Sequence, residues 1–278
     1  MATANRIDKG AIEMSKHHSS RRWILAGGFA TGLVAWCWWP DLGLKRETDL
    51  AFTPIDHLPG FRRLASGAVS AADGFDPITG LRVSPDGDGM LVAEVDTAFC
   101  QALFGESQFS AGTVPIAYFS DFRCPYCRVI GPRLAELEGN FDLGIKIAWH
   151  EWPILGEASN AAARAVLAAK RQGADQAFRE RLLASSFVPN SAYLMDLAQR
   201  LGLDPSRLAA DMSAADVDDQ IAKSKDLASL LGFRGTPGLV VGRTLVNGAI
   251  DDAELMTLIE RERADGPVPG CARDNPQN

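Results

Sequence analysis

The chain has 278 residues, room for one large domain or a domain with an appendage. A hydrophobic fraction of 46% beside 23% charged residues is globular composition, and five cysteines are too few for a disulfide-stapled mini-domain. With 35 acidic against 28 basic side chains the net charge is −7, which speaks against a nucleic-acid partner, because phosphate binding relies on clustered Lys and Arg.

Residues 1–22 are polar and read as a cytoplasmic tail. Residues 23–39 carry no charge and reach the lower length limit for crossing a bilayer, so they read as a transmembrane signal-anchor. Trp36, Trp38 and Trp39 cluster at one end of this run, as an interfacial aromatic belt would. Arg6, Lys9, Lys16, Arg21 and Arg22 stand before it against Asp8 and Glu13, whereas Asp41, Glu47 and Asp49 outnumber Lys45 and Arg46 behind it. That bias predicts a single pass through the inner (cytoplasmic) membrane, with the remainder of the chain in the periplasm or outside. No small-x-small cleavage site follows, which favours an anchor over a cleaved signal. Ser20–Leu25 also resembles a twin-arginine export signal, which would change the route but not the destination. Cys37, inside the run, reads as apolar filler.

Residues 40–111 read as a linker and N-terminal extension. Pro40, Pro54 and Pro59 are breakers, and Ser70–Gly89 is rich in Gly, Asp and Pro. Met90–Val95 has the character of a strand and Thr97–Phe104 that of a short helix. The pattern sharpens over residues 112–263. Val114–Phe119 is a continuous apolar run of strand length, as a buried central strand should be. A helix is predicted from Cys124 to about Glu138, ended by Gly139 and Asn140. Ile145–Trp149 alternates like a strand. A helical block over 157–231 follows: an Ala-rich helix at 158–171, then helices at 175–185, 191–201, 205–211 (capped by Asp204, opened by Pro205) and 214–231. Leu239–Val241 and Thr244–Val246 are predicted to pair across Gly242–Arg243. Asp251–Glu254 resembles a capping box that opens a last helix to about Arg263. The tail, 264–278, reads as loose.

The chemistry concentrates in Cys124-Pro125-Tyr126-Cys127. A C-x-x-C at a strand-to-helix junction reads as a redox pair, because free N–H groups and the helix dipole stabilise a thiolate on the first cysteine. Pro125 suits the first turn, where its missing N–H would have no partner anyway. Cys124 is the candidate nucleophile, expected to be the more exposed of the two and to have the lower pKa. Cys127, one turn on, is placed to resolve a mixed disulfide. A zinc site would need further ligands, and His17, His18, His57 and His150 show no suitable spacing. No metal or cofactor is therefore expected.

The string Phe-Ser-Asp-Phe-Arg-Cys-Pro-Tyr-Cys, ending at Cys127, resembles the active site of the DsbA-like disulfide oxidoreductases. So do Pro132 eight residues after Cys124, Trp152–Gly156 with Ser159, and Thr236-Pro237 before an apolar strand. The resemblance covers roughly residues 112–263. It implies an α/β thioredoxin fold with an inserted helical domain, here preceded by the transmembrane helix. It also implies that the Thr236–Pro237 bond is cis, that the backbone of residue 236 pairs with an extended substrate chain, and that Pro125 and Tyr126 tune the redox pair. The implied activity is thiol:disulfide exchange on cysteines of exported proteins, with a membrane or periplasmic redox partner resetting the site. A pathway-specific reductant for apocytochrome or copper-site maturation, a disulfide isomerase and a chaperone remain alternatives. The family's acid on the central strand is replaced by Tyr118. Asp121 reads as a capping or solvated carboxylate and His150 as a hydrogen-bonded structural histidine. Cys100 and Cys271 either pair with each other or stand as a buried apolar side chain and a free thiol.

Overall fold

Strand β3 (Val114–Ser120) is apolar on both faces and lies one strand in from the edge of a sheet that has, among the described residues, six strands in the order β1 (Phe52–Pro54), β2 (Arg62–Leu64), β6 (Thr244–Asn247), β5 (Gly238–Val241), β3 and β4 (Ile145–Glu151). The computed structural model describes residues 50–64, 70, 95–105, 112–268 and 270–271. All of them belong to one unit, Thr48–Asn278. β3 runs parallel to β4 (Ile145–Glu151), in register from Val114 opposite Ile145 to Ser120 opposite Glu151. On its other side it pairs antiparallel with β5 (Gly238–Val241), which turns into β6 (Thr244–Asn247). Gly242 makes that turn at φ +54°, and a Cβ there would run into the Glu262 carboxylate, so the site demands glycine twice over.

Because side chains alternate across a strand, β3 feeds two cores. Ala117 and Phe119 face one that contains Phe61, Leu103, Phe104, Leu231 and Val240. Val114, Ile116 and Tyr118 face the other, with Leu134, Leu137, Leu239, Leu255 and Leu258. The first core is closed by α1 (Thr97–Phe104) and by the end of α7 (Ala215–Leu230). The second is closed by α2 (Pro125–Gly139) and α8 (Asp252–Asp265). Between β4 and β5 the chain forms α3 (Glu157–Lys170), α4 (Asp175–Ala184), α5 (Ser191–Arg200), α6 (Pro205–Asp211) and α7. A third core, with Phe122, Ala162, Ala165, Val166, Phe178, Leu194 and Leu208, holds these helices together. Alanines on α3 bring its neighbours close. Asp204 caps α6 by accepting from the N–H groups of Ser206 and Arg207, and Asp251 caps α8 by accepting from Glu254 N–H.

Two expectations from the sequence are corrected. The stretch after residue 50 is not only linker: β1 (Phe52–Pro54) and β2 (Arg62–Leu64) extend the sheet, β2 lying parallel to β6. Pro54 suggests a breaker, yet proline is tolerated on an edge strand, and β1 is an edge. Arg62 anchors this addition through ion pairs with Glu262 and Asp265. Nor are the described residues after 264 loose. Val268 is buried, and Cys271 forms a disulfide with Cys100 on α1. The bridge spans a sequence separation of 171, so its loss releases a large loop in the unfolded chain. Cys100→Ala with Cys271→Ala is expected to lower the unfolding free energy by about 2–4 kcal/mol in urea titrations. The suggested strand at 90–95 falls mostly outside the described residues, and the predicted anchor at 23–39 lies wholly outside them. Among the described residues no helix is long and apolar enough to cross a membrane.

Candidate active site

Cys124 is the N-cap of α2. Its backbone is extended (φ −69°, ψ 120°), and its Sγ accepts a hydrogen bond from the Cys127 N–H at 3.3 Å. A sulfur in this position faces the unsatisfied N–H groups of a first turn, and Pro125 enters the helix without needing a partner. Both cysteines are free thiols. The Thr236–Pro237 bond is cis, and residue 236 lies against Cys124, whose Sγ is 3.3 Å from Thr236 O. Some 112 residues separate the two in sequence; β5, paired with β3, brings them together. Gly238 is needed just after the proline, because the Phe233 ring would lie 2.9 Å from a Cβ there.

The two thiols differ sharply. The Cys124 pKa falls from the ordinary thiol range to about 6, chiefly because the Cys127 side chain hydrogen-bonds its sulfur. The nearby Ser70 and Thr236 side chains and the Cys127 backbone N–H lower it further, and burial works against them. Burial above all pushes the Cys127 thiol far up, so it stays protonated beside a Cys124 thiolate. The expectation that Cys124 would be the exposed member is not met: both cysteines have 0% of their surface exposed. Tyr126, in contrast, is 38% exposed and Val129 74%, which leaves an apolar patch on the first turns of α2.

Tyr118, on β3 beneath the pair, is fully buried, and its hydroxyl donates to Cys127 O at 3.4 Å. Burial raises its pKa well above the ordinary phenol, so it stays a hydrogen-bond donor and is no base. Asp121 is a cap, and a buried one. Its carboxylate accepts from the N–H groups of Arg123 (2.7 Å), Ile154 (2.8 Å) and Leu155 (2.9 Å) and from Ser159 Oγ (2.7 Å). Its own carbonyl accepts from Cys124 N–H. His150 is structural. Its ring stacks on Phe119 at 4.4 Å, Nε2 donates to Leu103 O at 2.8 Å, and burial lowers its pKa to about 4.

Two features of the site have no signal in the sequence. Glu151 and Arg179 form a buried ion pair at 2.8 Å between β4 and α4, and the Arg179 guanidinium also covers the Trp149 ring. Burial raises the Glu151 pKa, with Arg179 opposing. A lone Glu at the end of a strand does not announce a partner 28 residues on. Ser70, in a Gly- and Asp-rich stretch, likewise gives no sign that it comes to lie beside Cys124 and Thr236. Among the described residues no group of three or more His, Cys, Asp or Glu is placed to hold a metal.

The sequence family described as a DSBA-like thioredoxin domain matches residues 115–260, more than half of the chain. The chain belongs to this family. DsbA-like proteins are thiol:disulfide oxidoreductases with a mixed α/β thioredoxin-like fold, and the fold described above is theirs. A thioredoxin-like oxidoreductase from Silicibacter pomeroyi DSS-3 is 37% identical; the match covers 59% of this chain and 97% of that one, with a TM-score of 0.55. The probable disulfide bond formation protein D of Bacillus cereus is 24% identical over 152 residues, 50% of this chain and 69% of that protein. A Na(+)/H(+) antiporter NhaA 3 of Salinispora tropica is 31% identical over 130 residues, 46% of this chain. The chain spans only 20% of that antiporter's length.

Proposed function

We propose that this DsbA-like chain oxidises cysteine pairs of exported proteins through the Cys124–Cys127 disulfide. The observation that carries the reading is the placing of Cys124 Sγ at the start of α2, 3.3 Å from Cys127 N–H and 3.3 Å from Thr236 O of the cis Thr236–Pro237 bond, an arrangement that lowers the Cys124 pKa to about 6 and leaves Cys127 protonated. A substrate thiolate attacks Cys124 Sγ in the oxidised pair, the Cys124–Cys127 bond breaks, and Cys127 leaves and takes up a proton. A second substrate thiolate then attacks the substrate sulfur of the mixed disulfide and expels Cys124 as a stabilised thiolate. The substrate gains a disulfide and the protein is left as a dithiol. A low leaving-group pKa speeds that release, and a stabilised reduced form makes the pair a stronger oxidant. Thr236 and Pro237 supply the backbone edge for the substrate chain, while Pro125 and the exposed Tyr126 form the rim it meets. A membrane or periplasmic partner reoxidises the dithiol.

The buried Cys100–Cys271 bridge supports an oxidising compartment, where structural disulfides persist. Residues 23–39 serve as the tether to the membrane, residues 112–263 as the catalytic domain and 157–231 as its insertion. The test is trapping. With Cys127→Ser, mixed disulfides with a peptide disulfide should accumulate on Cys124, while Cys124→Ser should abolish oxidation of a dithiol peptide. Residual oxidation by Cys124→Ser above the uncatalysed rate would sink the assignment.

A further inference from the structure

Ser70 makes a two-way backbone contact with residue 236. Its N–H donates to Thr236 O at 2.7 Å, and Thr236 N–H donates to Ser70 O at 2.9 Å. The exchange of both bonds defines a hydrogen-bonded antiparallel pair. Thr236 O is the same atom that Cys124 Sγ approaches at 3.3 Å. The Ser70 side chain also lies close enough to Cys124 to help lower its pKa. Ser70 thus meets the cis-proline edge by its backbone and the nucleophile by its side chain. Those are the two contacts that a substrate cysteine on an extended chain would need. Serine differs from cysteine only by oxygen in place of sulfur, and its hydroxyl cannot form a disulfide.

We propose that Ser70 is a built-in surrogate for the substrate cysteine: it occupies the Thr236 edge in cis, holds Cys124 unreacted, and must be displaced by any cysteine peptide that the protein oxidises. Complete burial of the Cys124 sulfur fits this arrangement, because a nucleophile with no exposed surface cannot meet a substrate without a change. Ser70 also lies outside residues 115–260, the span that the family matches. The inference rests on Cys124 being the reacting thiol.

The test uses the full chain carrying Ser70→Cys and Cys127→Ser, treated with oxidised glutathione. Cys124 thiolate attacks the glutathione disulfide and releases one glutathione thiolate. The thiol introduced at position 70 then loses its proton, attacks the Cys124 sulfur and expels the second glutathione thiolate. Two protein thiols are oxidised and one glutathione disulfide becomes two glutathione thiols. Peptide mapping should find residue 70 joined to residue 124 in most molecules. Glutathione remaining on Cys124 with no such link would overturn the inference and leave the proposed function standing. A Cys124 that stays a free thiol would overturn both. A second variant needs no new thiol. Ser70→Pro in the Cys127→Ser background removes the N–H that donates to Thr236 O. Loss of one backbone hydrogen bond from the self-pair should speed mixed-disulfide formation with a peptide disulfide by about 2- to 10-fold. A rate that is unchanged or slower would show that Ser70 does not compete with substrate.

Discussion

Asp121→Ala is expected to lower the unfolding free energy by about 4 kcal/mol or more, since each buried donor left without a partner costs about 1–3 kcal/mol. The carboxylate is 1% exposed and accepts four hydrogen bonds, three of them from backbone N–H groups that have nowhere else to turn. It ties the approach to Cys124 to the segment that enters α3. Water admitted to the space left by alanine recovers part of the loss, which is why the expected cost is set at the low end of the sum for four orphaned partners. Asp121→Asn should fall between. Its oxygen can keep one pair of donors, but its amide must then point N–H at donors on the other side. Urea titration at neutral pH measures both. A loss under about 1 kcal/mol for alanine would mean that the four contacts are replaced by solvent at no cost, against ordinary values for buried groups. The active-site turn should loosen with the fold, because Cys124 N–H bonds the carbonyl of the same residue at 3.1 Å.

What is legible in the chain follows from how far each signal reaches. Local chemistry is readable: the Cys124 cap with Pro125 behind it, Asp204 with Pro205, Asp251 before α8, and the apolar run of β3 all state their conformation within four or five residues. Such cues place α1 and α6 at their observed bounds. Thr236-Pro237 is legible only through resemblance, since nothing in the sequence of β5 says that it will pair with β3. Features built from distant partners stay hidden. β1 and β2 are three residues each and owe their existence to the edge of β6 and to Arg62 meeting Glu262. Ser70 belongs to the same class: its meaning comes from Thr236, not from its neighbours. The exposure of Cys124 is misjudged from sequence for the same reason. A helix N-terminus suggests an open thiol, but tertiary contacts cover it.

Raising the pH from 5 to 8 is expected to stabilise the reduced protein over the oxidised protein by roughly 2–3 kcal/mol, at about 1.36 kcal/mol per pKa unit. The sign follows from the Cys124 thiol, whose pKa is about 6 in the folded protein. In the unfolded chain it returns to about 8.5. At pH 5 neither state has released the proton, so the group contributes nothing. Between the two values only the folded state carries the thiolate, the unfolded state binds more protons, and stability grows with pH. The gain is complete above the unfolded value and is lost as pH falls through about 6. The oxidised protein has no such thiol. Subtracting its stability removes what the two forms share, including His150, which stays neutral down to about pH 4. Cys127 stays protonated in the folded protein and ionises in the unfolded chain only around pH 8.5, so it changes little up to pH 8 and works against the gain above it. The same titration governs reactivity, because the thiolate is the nucleophile. Alkylation of Cys124 should slow by roughly 100-fold from pH 7 to pH 4, with its midpoint near 6 and Cys127 scarcely labelled. Urea unfolding of both redox forms across this range, with peptide mapping of the alkylated cysteine, decides the matter. A redox stability difference that does not change with pH, or a midpoint near that of an ordinary thiol, would remove the thiolate from Cys124 and with it the support for the oxidant role proposed above.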